Sequence, residues 1–184
     1  MMLRNLFTIC AVLLIASSCK SPEARRPVTS TSGSFIKESV KRNKKIFEQE
    51  SAAITSIIEK DTEQNYLTSD SGFWYYYKVK DSLSTRSPKL GDAVTFTYDV
   101  KHLNGDVVIS KEENGIQNYK VDRSNQELIS GIRDGLKFMK VGETVTFFFP
   151  SFKAYGYYGI ENKLGTNVPI QSTVTLETIQ TLEN

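Results

Sequence analysis

The residues that could do chemistry are few. His102 is the sole histidine, and Cys10 and Cys19 are the only cysteines among 184 residues. That count excludes a Cys/His zinc site, and a Ser-His-Asp arrangement would have to run through His102. His102 stands just before Asn104-Gly105, a place for a surface strand residue rather than a base. Glu112-Glu113 read as solvated loop carboxylates. Gly156 and Gly159 lie among tyrosines with no Lys-Ser/Thr after them, so they do not cradle phosphate. With 23 basic against 21 acidic side chains the net charge is +2, no bulk polycation for nucleic acid. What the chain does offer is aromatic and aliphatic side chains gathered near loops. Tyr155, between Ala154 and Gly156, is a poor choice for core alone and a good one for a site. The composition points to a concave pocket for an apolar ligand, needing neither metal nor cofactor.

The elements that must hold such a pocket lie in residues 72–184. Gly72 to Val79 is aromatic and β-prone, and Val94, Phe96, Tyr98 and Val100 alternate with polar residues as a half-buried strand does. Asn104-Gly105 predicts a type I′ hairpin turn, with Val107 to Ser110 returning and Asn118 to Asp122 forming a further short strand. Between Asn125 and Lys140 the period changes. Leu128, Ile132, Leu136 and Met139 share one helical face, with Asn125 as cap and Glu127 in the first turn. Strands over Glu143 to Phe149 and Ser172 to Leu182 complete an α+β domain. Leu136 and Phe147 read as core, and core packing is also the default for Trp74.

The first 71 residues have other textures. Residues 1–18 carry Arg4, an apolar run from Leu6 to Ala16, and small residues, the layout of a signal peptide. Such a run rises only about 16 Å as a helix, too short to span a membrane. Ala16-Ser17-Ser18-Cys19 resembles the lipobox of bacterial lipoproteins. The resemblance implies lipidation of Cys19, a membrane anchor facing the periplasm or cell exterior, and loss of Cys10 with the signal. Residues 19–33 then form a polar tether. Residues 20–45 carry eight basic and two acidic side chains, against 14 basic and 19 acidic over 46–184. The basic stretch fits anionic headgroups and a solvated helix face equally well. Residues 34–71 form a helical extension, its helix over 34–65 with Ile36, Val40, Phe47, Ile54 and Ile58 on one stripe. That stripe must lie on the following domain or pair with a second copy as a homodimer.

Pro88-Lys89-Leu90-Gly91-Asp92, the strand ending in Tyr98, Gln126-Glu127-Leu128-Ile129-Ser130-Gly131, Gly135-Leu136, Met139-Lys140-Val141-Gly142-Glu143 and Ala154-Tyr155-Gly156 resemble the FKBP-type peptidyl-prolyl isomerases in order and spacing. The match covers about residues 88–182. It implies a five- to six-stranded antiparallel sheet wrapped around one short helix. With the signal and extension, the chain most resembles the FKBP-type lipoproteins associated with gliding motility in Bacteroidetes. The resemblance implies isomerisation of Xaa-Pro bonds in proline-containing client polypeptides, assisting the folding of envelope proteins. The family's roles fall on Tyr98, Tyr155 and the backbone N–H at Ile129 as catalytic groups. Val108, Tyr119, Val121, Leu128, Ile132, Val168 and Leu176 become pocket walls. Departures are as informative: Ile132 replaces the usual floor tryptophan, and Val108-Ile109 replaces a Phe-Asp pair. The pocket is therefore wider, less aromatic and without its acid. An alternative reading follows, a catalytically weak module that binds partner segments as a chaperone or scaffold.

Overall fold

Alternating apolar residues make strands only where a partner ladder is available, and here one sheet supplies it. The computed structural model describes residues 32–81, 86–123 and 128–181. The signal segment, Cys19, the tether as far as residue 31, the cap expected at Asn125 and the acid at Glu127 lie outside those residues, whereas residues 32 and 33, expected in the tether, are helical. The chain divides into two compact units, Met1–Glu38 and Ser39–Asn184. Of the first, the described residues are the opening turns of helix α1 (Ser32–Lys60).

The second unit is an antiparallel sheet around a short helix. Its strands are β1 (Leu67–Ser69), β2 (Phe73–Val79), β3 (Ala93–Tyr98), β4 (Val100–His102), β5 (Val107–Ile109), β6 (Gln117–Lys120), β7 (Thr144–Phe149) and β8 (Ile170–Gln180). The main path runs β1-β2-β7-β8-β3-β6, with β4 pairing β8 and β5. The α+β class expected from sequence is therefore observed, with eight strands rather than five or six. β1 went unforeseen because three residues carry no readable period.

Helix α3 (Ser130–Leu136) lies against β7, and two glycines permit the approach. A Cβ on Gly131 would meet the Phe149 ring at 2.6 Å, and one on Gly135 the Phe147 ring at 2.9 Å. Phe147 and Phe149 stack at 5.4 Å, and Phe73 of β2 meets both rings edge-on. Ile132, Leu136 and Met139 are buried here, as their spacing predicts. The helix starts at Ser130, later than expected, with Ile129 at its N-cap and no side-chain cap.

Three local readings are corrected. The Asn104-Gly105 hairpin is not type I′, because only Gly105 takes positive φ, at 95°. Gly105 N–H donates to His102 O and His102 N–H to Asp106 O, the pattern of a three-residue loop ending in a left-handed glycine. The Asn104 side chain holds it by accepting from the Asp106 N–H at 3.1 Å. Second, the strand read as continuous from Val94 to Val100 breaks at Asp99. There the Thr173 N–H donates to the Asp99 carboxylate at 2.7 Å in place of a ladder carbonyl. Third, Glu112-Glu113 lie on a helical turn, α2 (Lys111–Asn114), rather than a loop. Ser110 Oγ caps it by accepting from the Glu113 N–H, and Glu113 pairs with Lys163.

Of the two fates open to the amphipathic helix, the latter half of α1 takes the first: it docks on its own domain. Ile54 is completely buried, and Phe47 meets Phe152 edge-on at 5.6 Å. Burying Ile54 is worth about 2 kcal/mol. Ile36 and Val40 of the same stripe remain exposed. The helix ends at Lys60, short of the expected 65.

Candidate functional site

The site residues expected from sequence come from seven places in the fold, counting the turn that carries Tyr155. Tyr98 ends β3 and is buried. Tyr119 lies on β6 opposite Val94, and its hydroxyl accepts from the Asp122 N–H at 3.0 Å. Val121 follows, and Asp92 and Gly91 fix its backbone: its N–H donates to Asp92 O, and Gly91 N–H donates to its carbonyl. Leu128 and Ile129 stand at the entrance of α3, and Ile132 lies inside it. Val108 comes from β5, Leu176 from β8 opposite Phe96, and Val168 from the loop before β8.

All of them lie in or against the hydrophobic core of the domain. Tyr98, Tyr119, Val121, Ile129, Ile132 and Leu176 belong to one buried cluster, and Val108, Leu128, Tyr155 and Val168 pack against it half-buried. Leu136 and Phe147, read as core, belong to the same cluster. Cys19 lies outside the described residues.

Tyr155 is positioned by a tightly bonded turn. Pro150 ends the reach of β7, and Ser151–Lys153 forms a single 3-10 turn. The Ser151 carbonyl accepts from both Ala154 N–H and Gly156 N–H, which closes the loop around Tyr155. Lys153 Nζ pairs with Asp134 of α3 at 2.8 Å, and Ser130 Oγ donates to the Lys153 carbonyl at 3.4 Å. On the far side, Asn167 N–H donates to the Gly156 carbonyl, joining the Tyr155 loop to the segment carrying Val168. Gly159 turns the loop back at φ +62°, where a Cβ would lie 2.2 Å from the Leu164 carbonyl.

Tyr98 and Tyr155 lie close enough for each hydroxyl to influence the ionisation of the other. Burial raises the pKa of both phenols, and for Tyr155 the neighbouring Tyr98 raises it further. Both are therefore neutral hydrogen-bonding groups at physiological pH, and neither is a proton-transfer base. The hydrophobic surroundings and a pair of neutral hydroxyls suit a group that offers a carbonyl and needs no proton. Among the described residues no cluster of His, Cys, Asp or Glu could hold a metal ion.

One feature sequence reasoning missed is Glu50. It is buried on α1, and its Oε2 accepts the Ser151 N–H at 2.8 Å, at the root of the Tyr155 loop. A signal was present: Glu50 falls between Phe47 and Ile54 at helical spacings of three and four, a charge set into the apolar stripe. A cavity of about 550 Å³ lies beside it, lined in part by Phe47, Glu50, Phe152, Gly156 and Tyr157. None of the expected pocket residues lines that cavity.

An antiparallel sheet around one short helix, with a tyrosine pair at its apolar end, defines the class to which comparison with known proteins leads. A family model described as FKBP-type peptidyl-prolyl cis-trans isomerase matches residues 84–178. The chain belongs to this family. Over 108 residues it is 31% identical to the probable FKBP-type peptidyl-prolyl cis-trans isomerase FkpA of Neisseria meningitidis serogroup B, a match covering 59% of this chain. The match spans only 39% of that curated relative's length. Two crystal structures share the fold. FkpA from Escherichia coli superposes with a TM-score of 0.58 at 22% identity, over 95% of this chain and 81% of that one. A peptidyl-prolyl cis-trans isomerase from Pseudomonas syringae pv. tomato gives 0.58 at 17% identity, over 74% of this chain and 95% of that one.

Proposed function

We propose that the protein is a peptidyl-prolyl cis-trans isomerase acting on proline-containing polypeptides through the pocket around Tyr98 and Tyr155. The observation that carries this reading is the neutral tyrosine pair at the end of an apolar cluster. Rotation about an Xaa-Pro bond faces a barrier near ~20 kcal/mol and needs no nucleophile. The twisted amide has lost resonance and is less charge-separated than the planar one. An apolar wall of Val121, Ile132 and Leu176 therefore favours it over the ground state, relative to water. The Tyr155 hydroxyl and the backbone N–H of Ile129 orient the flanking carbonyls. Stabilising the twisted state by about 5 kcal/mol more than the planar one gives a several-thousand-fold acceleration.

The test is cis–trans exchange on short Xaa-Pro peptides with the full chain, beside Tyr155→Phe. Acceleration by the wild type that falls about tenfold or more in the variant, the worth of one ~1.4 kcal/mol hydrogen bond, supports the reading. No acceleration by folded wild-type protein across several residues before proline refutes it.

A second reading has one observation in its favour. Val108-Ile109 stands where the family has a Phe-Asp pair, so the site is without its acid. A site without that acid favours a slow isomerase or a module that holds partner segments. Partner binding with no exchange acceleration decides for it.

In the cell we place the protein at the envelope, anchored by lipid on Cys19, where it assists the folding of exported proteins, including components of a gliding machinery. The lipobox-like segment supports this placement.

A further inference from the structure

We propose that Glu50 of the helical extension is a positioning residue for Tyr155, so that α1 is part of the working site rather than a spacer. The inference rests on the isomerase reading for its activity arm only. Glu50 is 7% exposed, and its Oε2 accepts the Ser151 N–H at 2.8 Å across a sequence separation of 101 residues. Ser151 is the residue whose carbonyl accepts from both Ala154 and Gly156, the two neighbours of Tyr155. A single residue, Ser151, thus links the helix carboxylate to the pair of bonds that set the tyrosine's backbone.

The wall has two faces. Tyr155 and Val168 belong to the apolar cluster, whereas their neighbours Gly156 and Asn167 line the 550 Å³ cavity next to α1. Asn167 N–H to Gly156 O, at 2.8 Å, ties the two segments into one wall. On the α1 side the wall meets Glu50 and the Phe47–Phe152 contact. On the other side it is held from α3 by Lys153–Asp134. The turn is therefore clamped between two helices, and the α1 clamp is the one that leaves empty volume beside it. Glu50 Oε1 has no hydrogen-bond partner in the structure, so this carboxylate is held in the protein by the Ser151 amide. A carboxylate retained on the apolar stripe of a helix, where leucine would fill the same space, fits a role in fixing the amide it binds.

The experiment compares full-length Glu50→Leu, which keeps volume and loses the acceptor, with Glu50→Gln, which keeps an acceptor oxygen. Peptide exchange gives kcat and KM, and amide resonances of residues 151–156 are followed in the same samples. The expected result for Glu50→Leu is a folded protein with kcat down about tenfold or more, KM nearly unchanged, and shifted amides at 151 and 154–156. Glu50→Gln is expected within about twofold of wild type. Wild-type kcat and unmoved 154–156 amides in folded Glu50→Leu overturn the proposal, as does equal loss in both variants that tracks their melting temperatures. Should Glu50→Leu not fold, Glu50→Gln and Glu50→Asp decide it: kcat that falls in Asp with amide shifts supports the link, and unmoved amides in Asp overturn it. If the wild type is itself inactive, the isomerase reading falls alone, and the amide shifts still decide whether Glu50 positions the loop.

Discussion

Replacing Gly131 by alanine tests the helix-on-sheet approach that brings Ile129 and Tyr155 to one site. The new Cβ would lie 2.6 Å from Phe149 Cδ1, 2.7 Å from Cε1 and 2.8 Å from the Lys153 carbonyl, where ordinary contact begins at 3.4 Å. Phe149 is completely buried and stacked on Phe147, so its ring has no free direction. The carbonyl belongs to the turn that Glu50 and Asp134 hold. Overpacking of this kind costs about 3 kcal/mol at the upper end of its range. The helical preference of alanine over glycine returns about 1 kcal/mol. The net loss is about 2 kcal/mol. With a urea slope near ~2 kcal/mol/M, the midpoint of unfolding falls by about 1 M with its slope unchanged. Gly33→Ala is the control, because a Cβ there meets nothing within 4 Å, and its midpoint stays at or above that of wild type. A Gly131→Ala midpoint equal to or higher than wild type refutes the packing argument.

Two further outcomes are expected. Asp92 is buried with its Oδ2 accepting the Lys89 N–H and its Oδ1 paired with Arg86, and the first of these, aided by the second, holds its pKa below the ordinary carboxylate value. The stability it contributes is present above that ordinary value and lost as pH falls through the depressed one. Asp92→Asn should cost about 1–3 kcal/mol at pH 7 and flatten the acid limb of a stability–pH curve measured by urea unfolding; an unchanged limb counts against it. For the membrane anchor, labelled palmitate fed to expressing cells should enter the wild-type chain and not Cys19→Ser. Equal labelling of both removes the lipoprotein reading.

How much of this was legible in the sequence depends on whether a feature is periodic. The strands at Ala93–Tyr98 and Thr144–Phe149 show in alternation, Phe73–Val79 in its run of aromatic residues, and the α3 face in the spacing of Ile132, Leu136 and Met139. The ten positions expected to form a pocket come from motifs that keep family spacing, and they lie in or against the domain's core cluster. Features set by one side chain answering one backbone group were not readable. Asp99 breaks a strand by taking the Thr173 N–H, a choice made by a partner 74 residues away. Asn104 selects a three-residue hairpin through its bond to Asp106, against the two-residue turn its dipeptide favours. Glu50 was passed over as one more charge on a charged helix, because the amide that needs it comes from the far end of the chain.

The order of the sheet bears on what the chain does when it meets other chains. Phe73-Trp74-Tyr75-Tyr76-Tyr77 is the kind of uncharged, aromatic, proline-free window that adds strands from neighbours and grows into fibrils. In the fold β7 pairs it on one side, and the three residues of β1 cover Phe73–Tyr75 on the other. The opposite rim, β6, is only four residues long and ends in Lys120. β5, off the main path, is a third edge of only three residues, so each of these edge strands presents too short a row of amides and carbonyls to template another sheet. Leu67–Ser69 thus shields the Phe73–Tyr75 part of that aromatic segment from pairing with a neighbouring chain.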